Sequence, residues 1–239
     1  MIISKTLILD LLHLSKNQEE VAIEKLAEQI KLSPQKVFSI LHDLNAEMDG
    51  LIKIDAKFIH ITKNAKKNLI HKAINAGITL EQIIESLHWR EFESFCLLVF
   101  DYNEYHTYQN FYFTQNKKRY EIDVVAIQQP FIFAVDAKKW KTGHSGALKT
   151  MVNNQNQRVK DFATSLHNRK IREKLALMNW KHAKIIPMII TSKMYEIKIF
   201  QKIPILPFFK LNQFLIEYHR YLGMIQQFPV NFNLQKSLF

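Results

Sequence analysis

Apolar positions recur along this chain first with a helical period and then with the two-residue period of strands. Residues 4–15 carry a helical stripe and Val21–Ile30 a second, while Ser33 followed by Pro34 opens a third helix, with serine as N-cap and proline in the first turn. In the third helix Val37, Ile40, Leu41 and Leu44 share a face, leaving Gln35, Lys36, Ser39, His42 and Asp43 outside. After Gly50, residues 51–54 and 58–62 alternate as two short strands. Residues 63–87 read as one or two connecting helices broken near Gly77, and His88–Tyr102 as a helix apolar around most of its circumference, hence largely buried. Three strands follow, Tyr108–Thr114, Arg119–Ile127 and Phe131–Lys138, joined by the polar turns at residues 115–118 and 128–130 into an antiparallel meander. A helix over residues 145–166, a short basic helix around Arg169, apolar strands at Ile185–Thr191 and Ile203–Phe209, and a helix from Leu211 to Leu222 complete the pattern.

This order predicts a helical unit over residues 1–62, a helical linker over 63–87 and an α+β unit over 88–239. Three helices and a hairpin in that sequence resemble a winged helix-turn-helix domain. The formal net charge of +11 implies a polyanionic partner, and its distribution says where. Residues 1–62 hold 7 basic and 9 acidic residues, whereas residues 86–239 hold 22 basic and 11 acidic. The phosphate-binding field is therefore expected in the second unit, and the first contacts DNA through its third helix or serves protein contact and homodimerisation.

Candidate chemistry lies within the 46 residues from Glu93 to Lys138. Glu93 stands one turn from Trp89 and from Leu97, so it faces the interior, where a carboxylate is costly without a cationic partner. If the turn centres on Gln129 and Pro130, residues whose numbers sum to about 259 lie opposite each other by strand geometry, which sets Asp123 across from Asp136. Two carboxylates so placed repel unless a cation joins them. Asp136 and Lys138 share a strand face, whereas Lys139 points to the other.

Ile122-Asp123, a 12-residue gap, and Asp136-Ala137-Lys138, preceded by the helix residue Glu93, resemble the PD-(D/E)xK nuclease superfamily, and within it the Mrr-like and archaeal branch. The resemblance spans residues 89–209. Ile122 replaces the proline of the family's name, and Asp136 stands where glutamate is commoner. The likeness implies a restriction-endonuclease-like αβββαβ domain hydrolysing DNA phosphodiesters with Mg²⁺, or Mn²⁺ in its place. It makes Asp123, Asp136 and the Ala137 carbonyl metal ligands and Glu93 an outer or second-site ligand. Lys138 would polarise the attacking water or the scissile phosphate. It also implies a glutamine on the following helix. Gln155 falls on that helix's apolar face and Gln157 on its wet side, so Gln155 is the choice. Arg158, Lys139, Lys141, Arg169, Lys170 and Arg172 are the candidate nucleic-acid contacts.

Other chemistries find no support. Five glycines supply no phosphate-cradling loop, ten histidines supply no HExxH, and no serine elbow occurs. The single cysteine, Cys96, excludes a disulfide framework and suits a reducing cytoplasm, and neither a signal peptide nor a membrane span is legible. The rival reading is a catalytically inactive winged-helix regulator or assembly protein that keeps a nuclease-like domain.

Overall fold

The computed structural model describes residues 2–16, 18–138, 145–192 and 197–232, which divide into two compact units, residues 1–88 and 89–239. Among the described residues no helix is long and apolar enough to cross a membrane.

The first unit runs α1 (Ile2–Leu14), β1 (Glu20–Ala22), α2 (Ile23–Ile30), α3 (Pro34–Ala46), β2 (Lys53–Ile54), β3 (Phe58–His60), α4 (Lys63–Asn75) and α5 (Leu80–Ser86). Leu7, Leu11, Leu12, Leu26, Val37, Leu41 and Ile59 are buried at its centre, so the helical spacing of the apolar positions becomes the core. Ser33 caps α3 by accepting the Lys36 N–H, with Pro34 in the first turn. The start of the second helix needs correction. Glu20–Ala22 is a strand, paired antiparallel with β3 in a sheet ordered β1-β3-β2, and α2 begins only at Ile23. The stretch expected to link the units folds as α4 and α5 within the first, where Thr62 and Thr79 cap the two helices and Leu69, Ile83 and Ile84 are buried.

The second unit comprises α6 (Trp89–Tyr102), β4 (His106–Gln115), β5 (Lys118–Gln128), β6 (Phe131–Lys138), α7 (Ser145–Ser165), α8 (Arg169–Lys174), β7 (His182–Thr191), β8 (Lys198–Phe200), β9 (Ile203–Pro207), α9 (Leu211–Glu217) and β10 (Phe228–Asn231). A mixed sheet ordered β4-β5-β6-β7-β9-β8 carries β10 as a further partner of β7. The meander is antiparallel, whereas β6, β7 and β9 run parallel, with α7 and α8 supplying the crossover between β6 and β7. Val124 pairs with Val135 and Gln128 with Phe131, the register that a turn at Gln129 and Pro130 imposes. Neither β8 nor β10 was legible, and the closing helix ends at Glu217 before passing into a 3-10 turn over Tyr218–Tyr221.

The sheet is packed on both faces. Val159 and Phe162 of α7, with Leu166 just past its end, meet Phe111, Phe113, Ile122, Val125 and Ala134 on one face. On the other, Phe100 of α6 lies 6.0 Å from Phe133 and 5.5 Å from Tyr105, ring centroid to centroid. The expectation that α6 is buried nearly all round is corrected. Phe92, Glu93, Cys96 and Phe100 form its buried stripe, while Trp89, Leu98 and Tyr102 are exposed.

Candidate functional site

Where the aromatic packing of α6 ends, polar groups gather at the same end of β5 and β6. Asp123 and Lys138 are half-buried, and Asp136 is 2% exposed. The Ala137 N–H donates to Asp123 Oδ2 at 2.8 Å, so the two strands are stitched here by a side chain in place of the ladder pairing that stops at Val124 and Val135. Asp136 Oδ1 accepts Lys138 Nζ at 2.9 Å and Arg158 Nη1 at 2.8 Å. The near-complete burial of this carboxylate is thus matched by two cations, as a desolvated charge requires.

Glu93 enters from α6, 2% exposed, and its Oε2 has no hydrogen-bond partner. Burial, helped by the negative charge of Asp123, pushes its carboxyl up to about 7, against a hydrogen bond from Gln109 that draws it down. Burial and the neighbouring Asp136 likewise raise Asp123 to about 6, opposed by the Ala137 N–H and the charges of Lys138 and Arg158. Both carboxyls therefore sit where an added cation is electrostatically favoured. Their oxygens are hard donors of the kind that magnesium takes. Among the described residues, however, no three His, Cys, Asp or Glu side chains already stand together as a metal-ligand group.

Gln155 is fully buried on α7, and its Nε2 donates to the carbonyls of Ala134 at 2.8 Å and Met188 at 3.2 Å, while its Oε1 accepts Arg158 Nη1 at 3.2 Å. It clamps the helix to two adjacent parallel strands and steadies the arginine on Asp136. Gln157 is exposed and bonds Asp161. Arg158, expected on the substrate backbone, is directed instead into the carboxylate site. Its position three residues after Gln155 puts the two side chains on one face of α7.

The remaining basic candidates divide. Arg169 and Lys170 are exposed, with Arg169 paired to Glu173 at 2.9 Å. Arg172 is half-buried, donates to the carbonyls of Leu166 and His167, and lies over the Phe232 ring, so part of its side chain serves the packing of the fold. Lys139 and Lys141 lie outside the described residues. Two polar residues the sequence did not single out adjoin the carboxylates. Gln109 bonds Glu93, and Asn110 occupies the β4 position across from Asp123.

The nuclease-related domain family, NERD, matches residues 81–204, an interval that contains every one of these site groups. No curated protein matches the chain. Two solved structures show weak likeness. The protein VC1899 from Vibrio cholerae shares 10% identity over 93% of this chain and 52% of its own, with a TM-score of 0.36. The protein of unknown function AF1548 shares 17% over 42% of this chain and 46% of its own, with a TM-score of 0.26. The chain spans about half the length of each. With the family matched over more than half of its 239 residues, the chain belongs to the nuclease-related domain family.

Proposed function

We propose that the second unit is a metal-dependent DNA endonuclease of the PD-(D/E)xK type, and that Asp123, Asp136, Glu93 and the Ala137 carbonyl hold its Mg²⁺, with Mn²⁺ an acceptable substitute. The observation that carries the reading is that Asp123 of β5 acts electrostatically on Glu93 of α6 and is itself acted on by Asp136 of β6, which Lys138 pairs; burial and Asp123 raise Glu93, and burial and Asp136 raise Asp123. A bound magnesium supplies Lewis acidity and a water of lowered pKa. Lys138 keeps its ammonium 2.9 Å from Asp136 with 43% of its side chain exposed, so it can also donate to a phosphate oxygen or to the attacking water. Arg158 holds Asp136 in orientation, and Gln155 locks α7 to the carbonyl two residues before Asp136. Arg169 and Lys170, with Lys139 and Lys141, are the candidate backbone contacts.

In the first unit, three helices and the sheet order β1-β3-β2 support a winged helix-turn-helix reading. The outer face of α3 offers Lys36 beside Asp43, which suits DNA contact or a homodimer interface equally. The sole cysteine, free and buried, fits a cytoplasmic setting. A second reading, a non-catalytic DNA-binding regulator, draws on one observation: Asp136 is already occupied by two side-chain cations. Incubation of the purified protein with labelled linear, branched and methylated DNAs in Mg²⁺, Mn²⁺ or EDTA separates the two. Cleavage in Mg²⁺ that EDTA and Asp123→Ala both abolish supports the nuclease, and retention of the DNAs uncut supports the regulator.

A further inference from the structure

Among the described residues two buried side-chain polar atoms lack any hydrogen-bond partner, Glu93 Oε2 and Asn110 Oδ1. Buried polar atoms are nearly always paired, so each exception calls for a physical reason. Both atoms are acceptors, and both belong to residues beside Asp123. Gln109 pairs with Val124 and Phe111 with Ile122, which sets Asn110 across from Asp123 at a break in the ladder. Asn110 has φ +50 in the middle of β4, a left-handed conformation that asparagine tolerates better than most residues but that a strand does not ordinarily hold. The alternation of side chains breaks at the same place. Ile122 and Val125, three positions apart, join one core face, and so do Tyr108 and Phe111 on the neighbouring strand. The two strands change face together around Asn110 and Asp123, a local strain that aliphatic packing does not account for.

We infer that Asn110 is a further oxygen donor of the divalent-cation site, a neutral amide carbonyl acting beside Glu93 and Asp123; the inference rests on the metal-dependent reading above. A carbonyl oxygen is a normal ligand for hard cations and adds no charge to a site already crowded with carboxylates. Glycine at this position suits the positive φ and removes only the side chain, so Asn110→Gly separates a backbone role from a ligand role. Mg²⁺ titration calorimetry on the full chain, with thermal unfolding in EDTA, is the test. Asn110→Gly is expected to weaken Mg²⁺ binding about tenfold or more while unfolding no earlier than the wild type. Binding within twofold of wild type in that variant overturns the inference and leaves the nuclease reading standing. Absence of Mg²⁺ binding in the wild type overturns both. Should the glycine variant fail to fold, Asn110→Asp, which keeps an oxygen donor, is expected to bind Mg²⁺ at least as tightly as wild type, and loss of binding there overturns the inference.

Discussion

Replacing Glu93 with glutamine removes a charge and almost no volume from a position 2% exposed, and the consequence for stability has a definite sign. In the folded chain the carboxyl is raised from 4.5 to about 7 by burial first and by Asp123 second. A carboxyl raised on folding contributes stability that is fully present below its unfolded pKa and is lost as pH rises through its folded pKa. In the metal-free protein that loss runs from about pH 4.5 to about pH 7. At about 1.4 kcal/mol per unit the ceiling is about 3 kcal/mol, and solvent screening near the half-buried Lys138 brings the expected gain from Glu93→Gln to about 1–2 kcal/mol at pH 8. At pH 4 the gain should nearly vanish, because the glutamate is then mostly neutral in both states. The assay is urea unfolding in EDTA followed by tryptophan fluorescence. All three tryptophans, Trp89, Trp140 and Trp180, belong to the second unit, so the signal reports that unit even if the first unfolds separately. Saturating Mg²⁺, at about a hundred times its Kd, should then add about 2.7 kcal/mol to the wild type at pH 8 and less to the variant. A variant no more stable than wild type at pH 8, or equally advantaged at pH 4, would refute the claim that Glu93 is an unneutralised buried acid.

Gln155→Leu removes hydrogen bonds to the Ala134 and Met188 carbonyls and should lower stability by about 1–3 kcal/mol, read as a shift of the urea midpoint; an unchanged midpoint would deny the clamp between α7 and the sheet. Lys138→Met should reduce Mg²⁺-dependent cleavage at least about a hundredfold with the circular dichroism spectrum unchanged, and equal cleavage would remove the lysine from the chemistry. Cys96, fully buried with its thiol pushed well above the ordinary range, should resist a thiol reagent in the native protein and take up one equivalent in denaturant; rapid native labelling would contradict the packing of α6.

The central geometry was legible because it rests on short-range rules. The turn at Gln129 and Pro130 fixes the β5–β6 register by arithmetic, and a 3.6-residue period puts Gln155 with Val152, Val159 and Phe162 on one face of α7. Strict strand alternation carried the reading no farther than Ile122. The change of face around Asn110 and Asp123 depends on a left-handed residue, for which an asparagine among aromatics is a weak cue. Glu20–Ala22 escaped because three residues are too few to show a period, and their strand identity comes from pairing with residues nearly forty positions away. Arg158 was placed on the substrate because local sequence cannot say which carboxylate a long side chain reaches; that choice is made by the tertiary approach of α7 to β6. The carbonyl and ring contacts of Arg172 were not legible for a related reason, since basic side chains serve packing as readily as binding.

The account stands on carboxylates from three elements forming one cation site. Diffraction from crystals soaked in Mn²⁺, recorded at a wavelength where manganese scatters anomalously, tests that directly. An anomalous peak among Glu93, Asp123 and Asp136, with Glu93 Oε2 turned to the ion, is the predicted result. Fully soaked crystals with no peak there, and Asp136 still held by both Lys138 and Arg158, would contradict it.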